Sequence, residues 1–139
     1  MSETGTAWIQ QIADPQTGNE LFIARITWVE VRSAFARRQR EGSLTSTAVN
    51  QLIQTFRSDL NNQYQVIELD STLAETGGRL VSQYPLRAYD AVQLASLLRI
   101  QPAFATTQST QLIFLTADNR LIPIAIALGL LTDNPNYHP

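Results

Sequence analysis

A chain of 139 residues and 15.5 kDa has the length of one domain with a single sizeable core. Its 44% apolar and 16% charged residues exclude a disordered composition. A formal net charge of -2 excludes a whole-protein basic field for nucleic acid but leaves room for a local patch, and all 10 basic residues are Arg.

In chain order, Thr6 to Ala13 reads as a helix with a short apolar face (Ala7, Trp8, Ile12) that stops at Asp14-Pro15. Thr17-Gly18-Asn19 is a turn and Leu21 to Ala24 a short buried strand. From Thr27 to Arg40, Trp28, Val31, Ala34 and Phe35 recur at helical spacing, with Gly42 as a stop. A second helix runs from Ser43, with Leu44, Ala48, Leu52, Ile53, Phe56 and Leu60 on its buried face, to Asn61-Asn62. Tyr64 to Leu69 reads as a strand, Ser71 to Gln83 as a helix carrying Gly77-Gly78, and Leu86 to Leu98 as a helix that is apolar almost all round. A polar loop spans Gln101 to Gln111 and a strand Leu112 to Leu115. Asp118 to Leu128 is a helix with Gly129 as its stop, and Leu130-Leu131 a last strand. Strands separated by helices imply parallel pairing in an α/β domain, where ligands bind at the carboxyl ends of the strands.

The chain holds no Cys and one His, His138, next to a terminus where order is usually poor. That removes disulfides, thiolate zinc sites and cysteine nucleophiles, and makes a Ser-His-Asp triad hard to build. No signal peptide or membrane-length apolar run is visible, so the expected compartment is cytoplasmic. Chemistry is left to carboxylates, hydroxyls and arginines.

Three carboxylates fall at helix starts, and each has a plain alternative role. Thr27 as N-cap with Glu30 three residues on forms a capping box, which by itself accounts for Glu30. Asp90 is a charge on a helix expected to be buried; it needs a partner or a metal, and Arg87 or the helix N-terminus offers the former. Asp118 stands where the N-cap of the next helix belongs. Jointly, Glu30, Asp90 and Asp118 are expected to converge on one sheet edge. Their mutual repulsion is relieved by a hard divalent cation, Mg²⁺ or Mn²⁺, which supports phosphate-ester cleavage. Arg32 and Arg37, in a basic stretch with Arg38 and Arg40, are candidate phosphate contacts, against the alternative of a solvated helix face. Trp8, Trp28 and Phe35 are read as core.

Ile26-Thr27-Trp28-Val29-Glu30-Val31, Leu86-Arg87-Ala88-Tyr89-Asp90-Ala91-Val92-Gln93-Leu94-Ala95 and Phe114-Leu115-Thr116-Ala117-Asp118-Asn119-Arg120-Leu121 resemble three motifs of the PIN-domain ribonucleases. The likeness is closest to the toxin subunits of VapBC-type toxin–antitoxin pairs, and it spans essentially all of residues 1–139 as one domain. It implies a three-layer α/β/α fold with a mainly parallel sheet and a metal-dependent endoribonuclease. Glu30, Asp90 and Asp118 would be metal ligands, with Thr27 and Thr116 as polar neighbours. It also implies an RNA substrate, a small antitoxin partner and, as is common in that family, a homodimer. The family's opening central strand and its aspartate have no counterpart in Met1-Ser2-Glu3-Thr4-Gly5-Thr6, which resembles the segment just after them. The expectation is therefore a domain truncated at its N-terminus and short of one acidic ligand. A late start assignment, a non-catalytic relative, or a strand supplied by another chain would each account for that. The runner-up function is a non-catalytic PIN-like protein that binds an antitoxin-like peptide. A carboxylate-dependent phosphatase is a weaker third, since the chain offers no Lys for the phosphate.

Overall fold

Four short strands and six α-helices occur among the described residues. The computed structural model describes residues 4–105 and 110–139; residues 106–109 of the expected polar loop lie outside the described residues, as do Met1, Ser2 and Glu3. The fold is α/β with small parallel sheets. The chain divides into two compact units, Glu20–Leu69 and Met1–Asn19 with Asp70–Pro139.

In the Glu20–Leu69 unit, β1 (Leu21–Ala24) lies parallel to β2 (Tyr64–Ile67), with Leu21 opposite Tyr64 and Ala24 opposite Ile67. Parallel neighbours need a long crossover, here α2 (Ile26–Arg40) and α3 (Ser46–Asn62). Helix α2 begins earlier than its sequence suggests. The Arg25 N–H closes the strand pair by donating to the Ile67 carbonyl, and the chain turns helical at once with Arg25 in the N-cap position. Thr27 therefore lies inside the first turn and forms no capping box with Glu30. Helix α3 begins later than expected, because the Ser43 and Leu44 N–H groups both turn back to the Arg38 carbonyl. Thr45 then caps the helix, its hydroxyl accepting from the Ala48 N–H at 3.1 Å. Of the α3 face, Leu60 is buried with Val49, while Leu52 is exposed.

The other unit contains α1 (Thr6–Ala13), α4 (Ser71–Gln83) and α5 (Ala88–Phe104), followed by β3 (Ile113–Leu115), α6 (Leu121–Ala127) and β4 (Leu131–Asp133). Strands β3 and β4 pair in parallel, Ile113 opposite Leu131 and Leu115 opposite Asp133. Leu73 and Leu80 of α4, Ala91, Leu94 and Ala95 of α5, Phe114, and Leu121 and Ala125 of α6 are its buried apolar residues, with Leu130 just before β4. Asp70 caps α4 by accepting from the Leu73 N–H at 2.9 Å and pairs with Arg99 on α5. Helix α5 runs past the expected end at Leu98, through Pro102. The Gln101 Nε2 donates to the Gly129 carbonyl at 2.9 Å, so long-range partners at Arg99 and Gln101 hold the extra turn that a proline weakens. No helix among the described residues is long and apolar enough to cross a membrane.

Candidate functional site

The described carboxylates of interest fall in both units. Glu30 lies on α2, in Glu20–Leu69, whereas Asp90 and Asp118 belong to the other unit. Asp90 sits in the first turn of α5 at 3% exposure, a charged side chain on a helix whose residues from Tyr89 to Leu98 are all buried or half-buried. Its Oδ2 accepts the Arg87 N–H at 3.2 Å, the N3 carboxylate reaching back to the N-cap backbone. The Arg87 guanidinium turns instead to the Tyr89 hydroxyl, at 2.8 Å, and lies over that ring.

Asp118 follows β3. It is not the N-cap expected of it: Arg120 holds that position and the regular helix starts only at Leu121, while Asp118 closes the preceding turn, its Oδ1 accepting the Arg120 N–H at 2.9 Å and its carbonyl the Leu121 N–H. The Arg120 side chain grips the same carboxylate, Nε to Oδ1 at 3.1 Å and Nη2 to Oδ2 at 2.6 Å. The Arg120 side chain, then its backbone N–H, hold the Asp118 carboxyl below the ordinary carboxylate range, and the Arg87 charge adds to this. Arg120 is raised in turn, first by Asp118 and more weakly by the charges of Asp90 and Tyr89. Asp90 and Asp118 thus both act on Arg120.

Thr116 lies beside this group, its hydroxyl accepting the Asp118 N–H at 3.1 Å. Asn134, 1% exposed, donates Nδ2 to Asn119 Oδ1 at 3.0 Å and fixes the turn from the β4 side. The Thr116 N–H donates to the Asp133 carbonyl, tying the same segment to β4. His138 is held as well, contrary to the expectation for a chain end. It stacks on Trp8 at 3.9 Å and 7°, and its Nε2 lies 3.0 Å from both Asp133 carboxylate oxygens.

Asp90, Asp118 and Thr116 carry oxygen donors, the type that suits Mg²⁺ or Mn²⁺ better than zinc. No group of three or more His, Cys, Asp or Glu side chains disposed to hold a metal occurs among the described residues. A groove of about 360 Å³ on α4 and α5, lined by Thr72, Leu73, Thr76, Ala95, Leu98 and Arg99, includes neither Asp90 nor Asp118.

Arg32 and Arg37 do not share a face of α2: five residues at about 100° each set them roughly 140° apart. Arg87, expected as a charge partner for Asp90, meets it through its backbone N–H and not its guanidinium. Arg120 was not singled out from the sequence, although Asp118-Asn119-Arg120 places a cation two residues from a turn aspartate, the spacing the observed turn uses. Trp8, Trp28 and Phe35 are half-buried rather than core. Compared with family models, curated proteins and solved structures, the chain matches none.

Proposed function

We propose that Asp90 and Asp118 form the acidic part of a divalent-cation site and that the protein is a metal-dependent endoribonuclease of the PIN type, the toxin of a toxin–antitoxin pair. The observation that carries this reading is Asp90, a carboxylate kept almost wholly out of water in the first turn of α5. Structural needs account for one of its oxygens through the Arg87 N–H; Oδ1 is left to a cation or its water. Asp118 supplies the second carboxylate by releasing one oxygen from Arg120, and Thr116 a neutral oxygen beside it. A bound Mg²⁺ or Mn²⁺ supplies water activation and charge neutralisation at phosphorus. Arg120 and Arg87 are then placed to take up phosphate oxygens with their planar forks. The three-layer α/β/α arrangement, an RNA substrate, a small antitoxin and a homodimer belong to the same proposal.

The test is RNA degradation with Mn²⁺ and with EDTA, by the wild-type chain and by Asp90→Asn, with Glu30→Gln assayed in parallel for the third carboxylate. The expected result is turnover with Mn²⁺ that EDTA and Asp90→Asn each abolish. Cleavage that survives both the chelator and the substitution overturns the reading.

One observation favours the non-catalytic alternative, a PIN-like binder of an antitoxin-like peptide: Arg120 already occupies both oxygens of Asp118. That alternative gains if neither the wild type nor Arg120→Gln turns over RNA with any divalent ion.

A further inference from the structure

Six of the ten arginines lie in the Glu20–Leu69 unit, and two of them converge on a single indole. The Arg57 guanidinium of α3 lies 4.9 Å from the centroid of the Trp28 ring, and that of Arg32, one turn along α2 from Trp28, lies 5.4 Å from it. Phe56 stacks on Trp28 with centroids 5.6 Å apart and planes within 7°. Both arginines are exposed, and both rings are half-buried.

Drawing two guanidiniums to one ring sets like charges against each other. A cation–π contact at an exposed site offsets this only weakly. Neither Arg32 nor Arg57 has a carboxylate partner among the described residues, whereas Arg25 is paired with Glu68 in the same unit. Asp59 of α3 acts on Tyr64, adding to the burial that raises its hydroxyl. An anion placed between the two forks removes the repulsion.

We propose that Trp28, Arg32, Arg57 and Phe56 form a binding surface for single-stranded nucleic acid, the two arginines on phosphates and the aromatic pair as a stacking platform for bases. Arginine forks fit phosphate oxygens. An indole beside them adds nothing for a carboxylate peptide, but guanidiniums that turn to phosphates uncover its ring for an unpaired base. Stacking inside a duplex hides those faces, so a single strand is the occupant. This rests on the ribonuclease reading only for the choice of RNA over DNA.

The experiment measures binding of a fluorescent 20-nucleotide oligouridylate by anisotropy, in EDTA, with the full Asp90→Asn chain as the parent so that no cleavage intervenes. In that background R32Q/R57Q is expected to weaken binding tenfold or more and to flatten the salt dependence by about 1.4 log units per decade, two single-strand phosphate contacts. Trp28→Leu is expected to lower affinity with no change in that slope. The charge-matched control R40Q/R79Q is expected to bind as the parent does, and thermal melts confirm that each variant folds. The proposal is overturned if the parent does not bind, if R32Q/R57Q binds with the parent's affinity and slope, or if polyglutamate or duplex RNA competes as well as the single strand. The two proposals fail separately: binding in EDTA is indifferent to metal-dependent cleavage, and cleavage lost in Asp90→Asn says nothing of Trp28.

Discussion

Arg120 holds Asp118 from three sides, with its backbone N–H, Nε and Nη2 all donating to that one carboxylate. The arrangement ties the charge of a β3-end aspartate to a residue two positions on, and it has a consequence for acid titration. With its pKa depressed, Asp118 stabilises the fold above its unfolded-state pKa, and that contribution is lost as pH falls through the folded value. Arg120→Gln is expected to raise the Asp118 pKa toward the ordinary range, read by carbon-detected NMR titration. It should also tighten Mn²⁺ binding severalfold in calorimetry, since the cation no longer competes with a guanidinium. Unchanged Mn²⁺ affinity would count against Asp118 as a ligand.

Asp90 separates structure from chemistry. Asp90→Ala removes the acceptor for the Arg87 N–H in a site of 3% exposure, at a cost of about 1–3 kcal/mol. Asp90→Asn keeps an oxygen in place and is expected to lose much less in denaturant melts while losing metal-dependent turnover entirely. Equal destabilisation by both would show that the charge itself holds the helix start.

Gly5 and Gly18 both have positive φ, +85° and +72°, yet they are not equivalent. A Cβ on Gly18 meets nothing, so Gly18→Ala costs about 1 kcal/mol for the left-handed backbone alone. A Cβ on Gly5 would sit 2.2 Å from the Pro135 carbonyl oxygen, so Gly5→Ala must also push α1 away from the Pro135–Tyr137 turn. Thermal unfolding should show a drop at least twice as large for Gly5→Ala.

Glu68 and Asp70 set part of the acid limit. Arg25 holds Glu68 below its ordinary value, and Arg99 with the Leu73 N–H does the same for Asp70. The folded chain binds fewer protons there than the unfolded one, so stability rises with pH through the acid range and levels off above the ordinary carboxylate pKa near 4. Asp70→Asn is expected to shallow the loss of stability between about pH 4 and 2, in urea melts at a series of pH values, while lowering stability at pH 7. A pH profile identical to wild type would remove Asp70 from this account.

Local chemistry within four residues was enough for most element positions. Helix α1 stops at Asp14-Pro15, α4 occupies the stretch read from its periodicity, and β1 occupies the run Leu21–Ala24, because caps, prolines and apolar spacing act over one turn. The burial of α5 from Asp90 to Ser96 was legible for the same reason: a helix apolar almost all round turns most of its faces inward. The elements that moved did so through hydrogen bonds the linear order does not display. Arg25 bonds Ile67 and starts α2 early, and Gln101 bonds Gly129 and carries α5 on to Phe104. Partner choice was likewise a tertiary matter where partners are far apart in the chain. Arg57 reaches Trp28 across 29 positions, and His138 packs on Trp8 from the opposite end of the sequence. A side chain's neighbours depend on which elements the core brings together, and that packing is decided by the sum of burial over the whole unit, not by any stretch of it alone.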